Sequence, residues 1–214
     1  MMKKRLFSVL YMFCLTLLFT SVVSAVHVLN RERITLNERI RLQEVVLHVL
    51  GIPTPPQPPA TSIVEIFEAR VKVVRRDGKT VYVGLSEDGG KTAGYAFPLF
   101  GPGFWGPIYG MVGVDPQVQT VLGIAFYEHG ETPGLGGRIT EPWFEGQFKG
   151  KRLAASTDRG RYFYLRPAGT VKGPNEVDAI TGATGTSNKL EIFLDRNLKE
   201  YLPWIMEQKT QGVL

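Results

Sequence analysis

The chain opens with an uncharged apolar run, Leu6–Leu29, behind a short basic head of Lys3, Lys4 and Arg5. As a helix it is long enough to cross a hydrocarbon core, which takes about 20 residues. Its "VVSA" also resembles a small-residue cleavage site, so a signal peptide is the other reading. The length of the run favours a retained anchor. Arg31–Leu50 keeps a helical period, with Leu36, Ile40 and Leu47 on one face among alternating charges. "GIPTPPQPP" ends that helix, because glycine and five prolines make an extended connector. From Ile63 the period changes to two. "EARVKVVRR", Asp77-Gly78 and "KTVYVGL" predict a hairpin with a two-residue turn. "IYGMVGVD" and "TVLGIAFYE" predict two more strands, the second apolar enough for burial on both faces, and "GRYFYLR" a further one. In "NKLEIFLDRNLKEYLPW", Leu190, Phe193, Leu194, Leu198, Tyr201 and Leu202 fall at helical spacing. Asn188 and Glu191 have the spacing of a capping box.

These elements predict an α+β fold: an antiparallel sheet domain with flanking helices, preceded by one N-terminal transmembrane helix. The expected organisation is a transmembrane anchor over 1–30, a juxtamembrane helix over 31–52, a Pro-rich linker over 53–62 and a domain over 63–214.

Charge changes the picture little. The formal net charge is +5, but residues 1–30 hold three basic residues and no acid, so the remainder carries only +2. That is too weak for a nucleic-acid surface. Arg31, Arg33, Arg39 and Arg41 follow the span, so counting basic residues does not by itself set its orientation. A short basic tail stays in the cytoplasm while a long domain crosses. The N-terminus is therefore expected in the cytoplasm and the domain outside, on a single-pass cell-membrane protein. The single cysteine, Cys14, allows no disulfide within the chain.

The candidate chemistry lies in three glycine-rich stretches. "FGPGFWGPIYG" (100–110) reads as a loop carrying Trp105, for which burial is the plain reading. "EHGETPGLGGRI" (128–139) holds His129 and Glu131, too few for a metal site, so no metal is assigned. It also strands Leu135 among turn residues. "DAITGATGTSNK" (178–189) gathers hydroxyls around Gly182, Ala183 and Gly185, just before a helix start. It lacks the lysine of a phosphate-binding loop and the spacing of a dinucleotide fingerprint. A turn capping the last helix is the plain reading. Glycines that admit close approach and a helix N-terminus nevertheless suit a phosphate.

"DAITGAT" resembles the flavinylation motif of the FMN-binding domain family. That family includes the C subunit of the sodium-translocating NADH:quinone reductase and the G subunit of the Rnf complex. "HGETPGLGG", "FWGPIYG" and the order of anchor, juxtamembrane helix and domain are similar to those subunits as well. The resemblance implies a covalent FMN joined through its phosphate to Thr184, with Trp105 and Leu135 flanking the isoalloxazine ring. Thr132 is a polar contact in that arrangement. Gly182, Ala183, Thr186 and Ser187 belong to the phosphate end. A separate Mg²⁺-dependent flavin transferase, using FAD, would read Asp178, Gly182, Ala183 and Thr184. No base stands beside Thr184 in sequence to activate its hydroxyl.

The implied function is a membrane-anchored, covalently flavinylated electron-transfer subunit of an Rnf/Nqr-type ion-translocating oxidoreductase. The other membrane subunits of that complex would be its partners. It would be a non-autonomous component with no catalytic residue assigned, since the chain has no dinucleotide fingerprint and no cysteine set for an iron–sulfur cluster. The alternatives are a stand-alone flavin carrier feeding an extracytoplasmic reductase and an anchored binding module without redox chemistry.

Overall fold

The computed structural model describes residues 2–153 and 160–214. Contacts divide the chain into two compact units, Met1–Leu42 and Gln43–Leu214. From Met2 onward the first unit lies within a single helix, α1 (Met2–Val49). That helix holds one segment long and apolar enough to cross a membrane, and its large apolar side chains from Leu6 to Leu29 are exposed except Leu15, which is half-buried. The anchor and juxtamembrane segments predicted from sequence are thus one continuous helix. It ends where glycine allows. Gly51 adopts φ +68°, and the Ile52 amide donates to the Leu47 carbonyl at 3.0 Å, satisfying a carbonyl the helix end leaves open.

In the second unit a five-stranded antiparallel meander runs in the order β1 (Val71–Arg76), β2 (Lys79–Leu85), β3 (Thr92–Pro102), β4 (Pro107–Val114), β5 (Val121–His129). The β1–β2 turn is the predicted Asp77-Gly78, both at positive φ (53° and 73°) as a type I′ hairpin requires. Three expectations are corrected. Residues 63–70 do not begin a strand: they lie in α2 (Ala60–Arg70), whose Ile63 and Phe67, one helical turn apart, are its buried side chains. The stretch 100–110 is not all loop. It is the end of β3 and the start of β4, paired from Phe100–Tyr109 to Pro102–Pro107, so only 103–106 form the tip. Of "GRYFYLR", only the short β6 (Tyr164–Arg166) forms. It pairs in parallel with β7 (Glu176–Asp178) rather than joining the main sheet.

The last helix, α3 (Thr184–Thr210), starts four residues before the predicted Asn188. Asn188 is therefore no cap, and Glu191 serves elsewhere: its carboxylate accepts from the Leu165 amide at 2.8 Å and pairs with Arg161. α3 covers one face of the sheet. There Tyr95, Phe97, Leu99, Val112, Ile124 and Phe126 meet Leu190, Phe193, Leu194, Leu198 and Ile205 in the main core. Phe97 stacks on Tyr201 with ring centroids 4.7 Å apart. The opposite face is floored with glycines. A Cβ at Gly113 would lie 2.1 Å from the Val49 carbonyl oxygen, one at Gly123 3.1 Å from Val49 Cα, and one at Gly84 3.1 Å from Leu50. Gly84 pairs with Gly94 and Gly113 with Gly123 across neighbouring strands. The end of α1 lies in this trough, with Val46, Leu47 and Val49 fully buried.

Candidate functional site

Three segments meet where α3 begins: the 103–106 tip between β3 and β4, the turn after β5 (130–136), and the first turn of α3. The tip is closed by the Gly103 amide donating to the Gly106 carbonyl at 2.7 Å. Phe104 lies over Gly185, where a Cβ would come within 2.4 Å of its ring. Trp105 stands edge-on to Phe104 at 5.3 Å between centroids. Contrary to the plain reading of a buried indole, Trp105 is 71% exposed. In the second segment the Thr132 carbonyl accepts from the Leu135 and Gly137 amides, which turns the chain and leaves Leu135 44% exposed. Its methyl Cδ2 lies 3.2 Å from the position of a Cβ on Gly182, and Gly182 itself sits at φ +79°. Two large apolar side chains, Trp105 and Leu135, are thus held open to solvent beside the start of a 27-residue helix.

The four candidate hydroxyls separate clearly. Thr181 and Thr184 are exposed, whereas Thr186 and Ser187 are buried. Thr186 donates its hydroxyl to Glu131 Oε2, and Ser187 Oγ accepts from the Ile180 amide at 3.2 Å. Thr186 and Ser187, expected to serve at the phosphate, therefore have internal partners. Thr184 is the first residue of α3, where helix amides lack intrahelical acceptors and the helix dipole is positive. A cleft of about 460 Å³ opens beside it, lined by Leu165, Pro167, Ala179, Gly182, Thr184 and Asn188. Ala183, whose amide donates to the Ile180 carbonyl at 3.0 Å, is buried beneath. Asp178 stands apart at the end of β7. Its Oδ1 accepts from the Gly169 amide at 2.8 Å, and its own amide donates to Gln147 at 2.7 Å.

Sequence reading missed the residue that joins the three segments. Glu131, 5% exposed, accepts from the Phe104 and Trp105 amides at 2.8 and 2.9 Å through Oε1, and from Thr186 through Oε2. Burial pushes this carboxyl up. Hydrogen bonds from Thr186 and from the Trp105, Phe104 and Gly106 amides outweigh it and hold the group below its ordinary value. His129 supports the same turn, accepting the Glu131 amide at Nδ1. Read as a weak metal ligand, Glu131 is instead an anion bound by backbone amides. The signal for this was Gly103 and Gly136, where a Cβ would meet its oxygens at 2.4 and 2.5 Å. Among the described residues no group of three His, Cys, Asp or Glu gathers around a common point.

Comparison with known proteins fits this geometry. The family model described as FMN-binding domain matches residues 103–198. The chain is 38% identical over 145 residues to the C subunit of the Na(+)-translocating NADH-quinone reductase of Pasteurella multocida (strain Pm70), covering 66% of this chain and 54% of that protein. It is 37% identical over 119 residues to the protein of the same name from Yersinia pestis, covering 55% and 45%. The chain spans about half the length of the curated relatives it matches. Among solved structures it is similar to the C subunit of the Na(+)-translocating NADH-quinone reductase of Parabacteroides distasonis ATCC 8503. That match has a TM-score of 0.67 and 27% identity, and covers 80% of this chain and 94% of that one. NqrC of Shewanella oneidensis shares the fold at a TM-score of 0.66 and 24% identity, over 76% and 92% of the two chains.

Proposed function

We propose, for a chain whose residues 103–198 match the family model described as FMN-binding domain, that this protein is a membrane-anchored electron-transfer subunit with FMN in phosphodiester linkage to Thr184. It would work within an Rnf/Nqr-type ion-translocating oxidoreductase. The relatives named above are C subunits of Na(+)-translocating NADH-quinone reductases, which favours the Nqr side of that pair. One observation carries the reading. Of the two exposed hydroxyls in the motif, Thr184 is the one on the first turn of α3, between a positive-φ glycine facing Leu135 and the tip that bears Trp105.

The residues present fit the group. Gly182 leaves the room a side chain would fill, Trp105 and Leu135 offer apolar faces to a flat ring, and the opening amides of α3 suit a phosphodiester. The helix dipole favours that single negative charge by about 0.3–1 kcal/mol when exposed. Bound FMN would supply the redox chemistry. The chain would hold it outside the cytoplasm, keep it from diffusing away, and shield both faces of its ring from water with Trp105 and Leu135. Asp178, bonded to Gly169, would act in recognition by the transferase through the loop it fixes. Retention of α1 as the anchor, with a cytoplasmic N-terminus, belongs to the same reading.

The test is co-expression of the full chain with a flavin transferase, followed by a denaturing gel viewed for flavin fluorescence. Wild type should give a band, Thr184→Val none, and Thr181→Ser a band. Peptide mass spectrometry that puts the FMN mass on another residue would overturn the assignment. A wild-type chain without flavin would overturn the function.

A further inference from the structure

The carboxylate of Glu131 lies at the junction of the three segments that form the candidate flavin site, and nothing assigned so far uses it. Its Oε1 accepts from the amides of Phe104 and Trp105, at 2.8 and 2.9 Å, and its Oε2 takes the hydroxyl of Thr186, two residues beyond Thr184. The backbone of Glu131 leads directly into the turn that carries Leu135. Among the described residues no cation pairs with it, so backbone dipoles and one hydroxyl hold the charge, an arrangement that binds anions strongly when rigid. Gly103 and Gly136 crowd against its two oxygens, and a methyl group at either would collide with them. The pocket is therefore shaped for a carboxylate of glutamate length. Aspartate, one methylene shorter, could not reach the tip amides and Thr186 together.

We propose that Glu131 is the positioning residue of the flavin site: its ionised carboxylate fixes the Trp105 tip and the Leu135 turn to the first turn of the helix that bears Thr184. The inference rests on the function proposed above only for what the clamp serves, since the clamp itself exists without flavin. Glu131 does not touch the reacting ring. It acts through the side chains on either side of that ring. A charge acting only at long range would tolerate aspartate. A clamp would not, because its geometry is lost with one methylene.

Two measurements on the full chain in detergent micelles test this. The first uses unloaded protein, made without transferase, and reads hydrogen exchange at the 103–106 tip. Charge-assisted hydrogen bonds protect amides strongly, so Glu131→Gln and Glu131→Asp should both speed exchange at Phe104 and Trp105 by about tenfold or more. Core amides of β4 and β5 should be unchanged. The second reads flavin fluorescence of loaded protein, native against denatured. Loss of a stacked indole should raise native emission several-fold in both variants while the covalent band persists. Thr186→Val, which removes one partner and leaves the tip amides bound, should give a smaller rise without faster exchange at the tip. It also stands in should the Glu131 variants not fold. Unchanged tip exchange and unchanged quenching in both Glu131 variants would overturn the proposal, as would wild-type behaviour of Glu131→Asp. Loaded wild type that lacks quenching, with the tip still clamped in the unloaded protein, would count against the flavin reading alone.

Discussion

Of the glycines that floor the sheet, Gly113 leaves the least room beneath the end of α1. A Cβ there would sit 2.1 Å from the Val49 carbonyl oxygen and 2.7 Å from its carbon. Both are backbone atoms, so no rotamer change can relieve the contact. Gly113→Ala must therefore push the helix end off the sheet or bend β4. Overpacking a core costs about 1–3 kcal/mol, and a backbone-to-backbone clash belongs at the top of that range. Lifting the helix end further would uncover Val46, Leu47 and Val49, which are fully buried. Each is worth about 1.5–3 kcal/mol when wholly exposed, so a strained shift is cheaper than detachment. Alanine relieves strand entropy by only about 0.5–1 kcal/mol, which does not offset the clash. The net expectation is a loss of about 2 kcal/mol. For a unit of this size that lowers the melting midpoint by roughly 4–8 °C. The control is Gly146→Ala, where nothing lies within 4 Å and φ is not positive. It should leave the midpoint unchanged or raise it slightly. Thermal melts of the full chain in detergent, followed by near-ultraviolet circular dichroism, measure both. A Gly113→Ala midpoint matching wild type would refute the account of the glycine floor.

Two further outcomes are expected. In the flavinylated form proposed above, Trp105→Ala and Leu135→Ala should each keep the flavin but shift its visible absorption and reduction potential, because the ring loses an apolar wall and gains water; unchanged spectra in both would remove these residues from the site. Glu145, which accepts the Phe126 amide at 2.8 Å, has its carboxyl pushed up to about 7 by burial, and that hydrogen bond opposes the shift only in part. Since the folded protein holds this proton more tightly than the unfolded chain, the contribution is fully present below about pH 4.5 and is lost as pH rises through about 7. Glu145→Gln should flatten that part of the stability–pH curve, and an unchanged slope in chemical denaturation across the window would refute it.

What the sequence made legible follows a physical division. Elements whose signal is local were readable: the Asp77-Gly78 turn, β4 and β5, and the apolar stripe of α3. Elements set by tertiary contacts were not. α2 was hidden because "TSIVEIF" is β-branched and can be read at period two. Its helical state is visible only in Ile63 and Phe67 turning to one side, where Phe67 meets Tyr82. β3 was hidden because Pro98 and its glycines argue against a strand, yet it pairs with β4 across eight consecutive positions. The start of α3 was misread because Thr184, Gly185, Thr186 and Ser187 form helices poorly by themselves. The structure stabilises that turn from outside, through Thr186 on Glu131 and the Ile180 amide on Ser187.

The same division explains the site. The motif residues carry local signals in the sequence, and Thr184, Trp105 and Leu135 are each exposed. Their assembly could not be read, because it depends on one carboxylate bonded to amides 26 and 27 residues away and to a hydroxyl 55 residues away. Backbone donors leave no residue-type signature in a sequence. Only the glycines that make room for the carboxylate do, and their meaning appears once the chain is folded. Two hydroxyls of the motif serve this internal network and two face solvent. A cluster that reads as redundant in sequence thus divides into a scaffold, Thr186 and Ser187, and an exposed pair in which Thr184 alone has the open end of a helix beneath it.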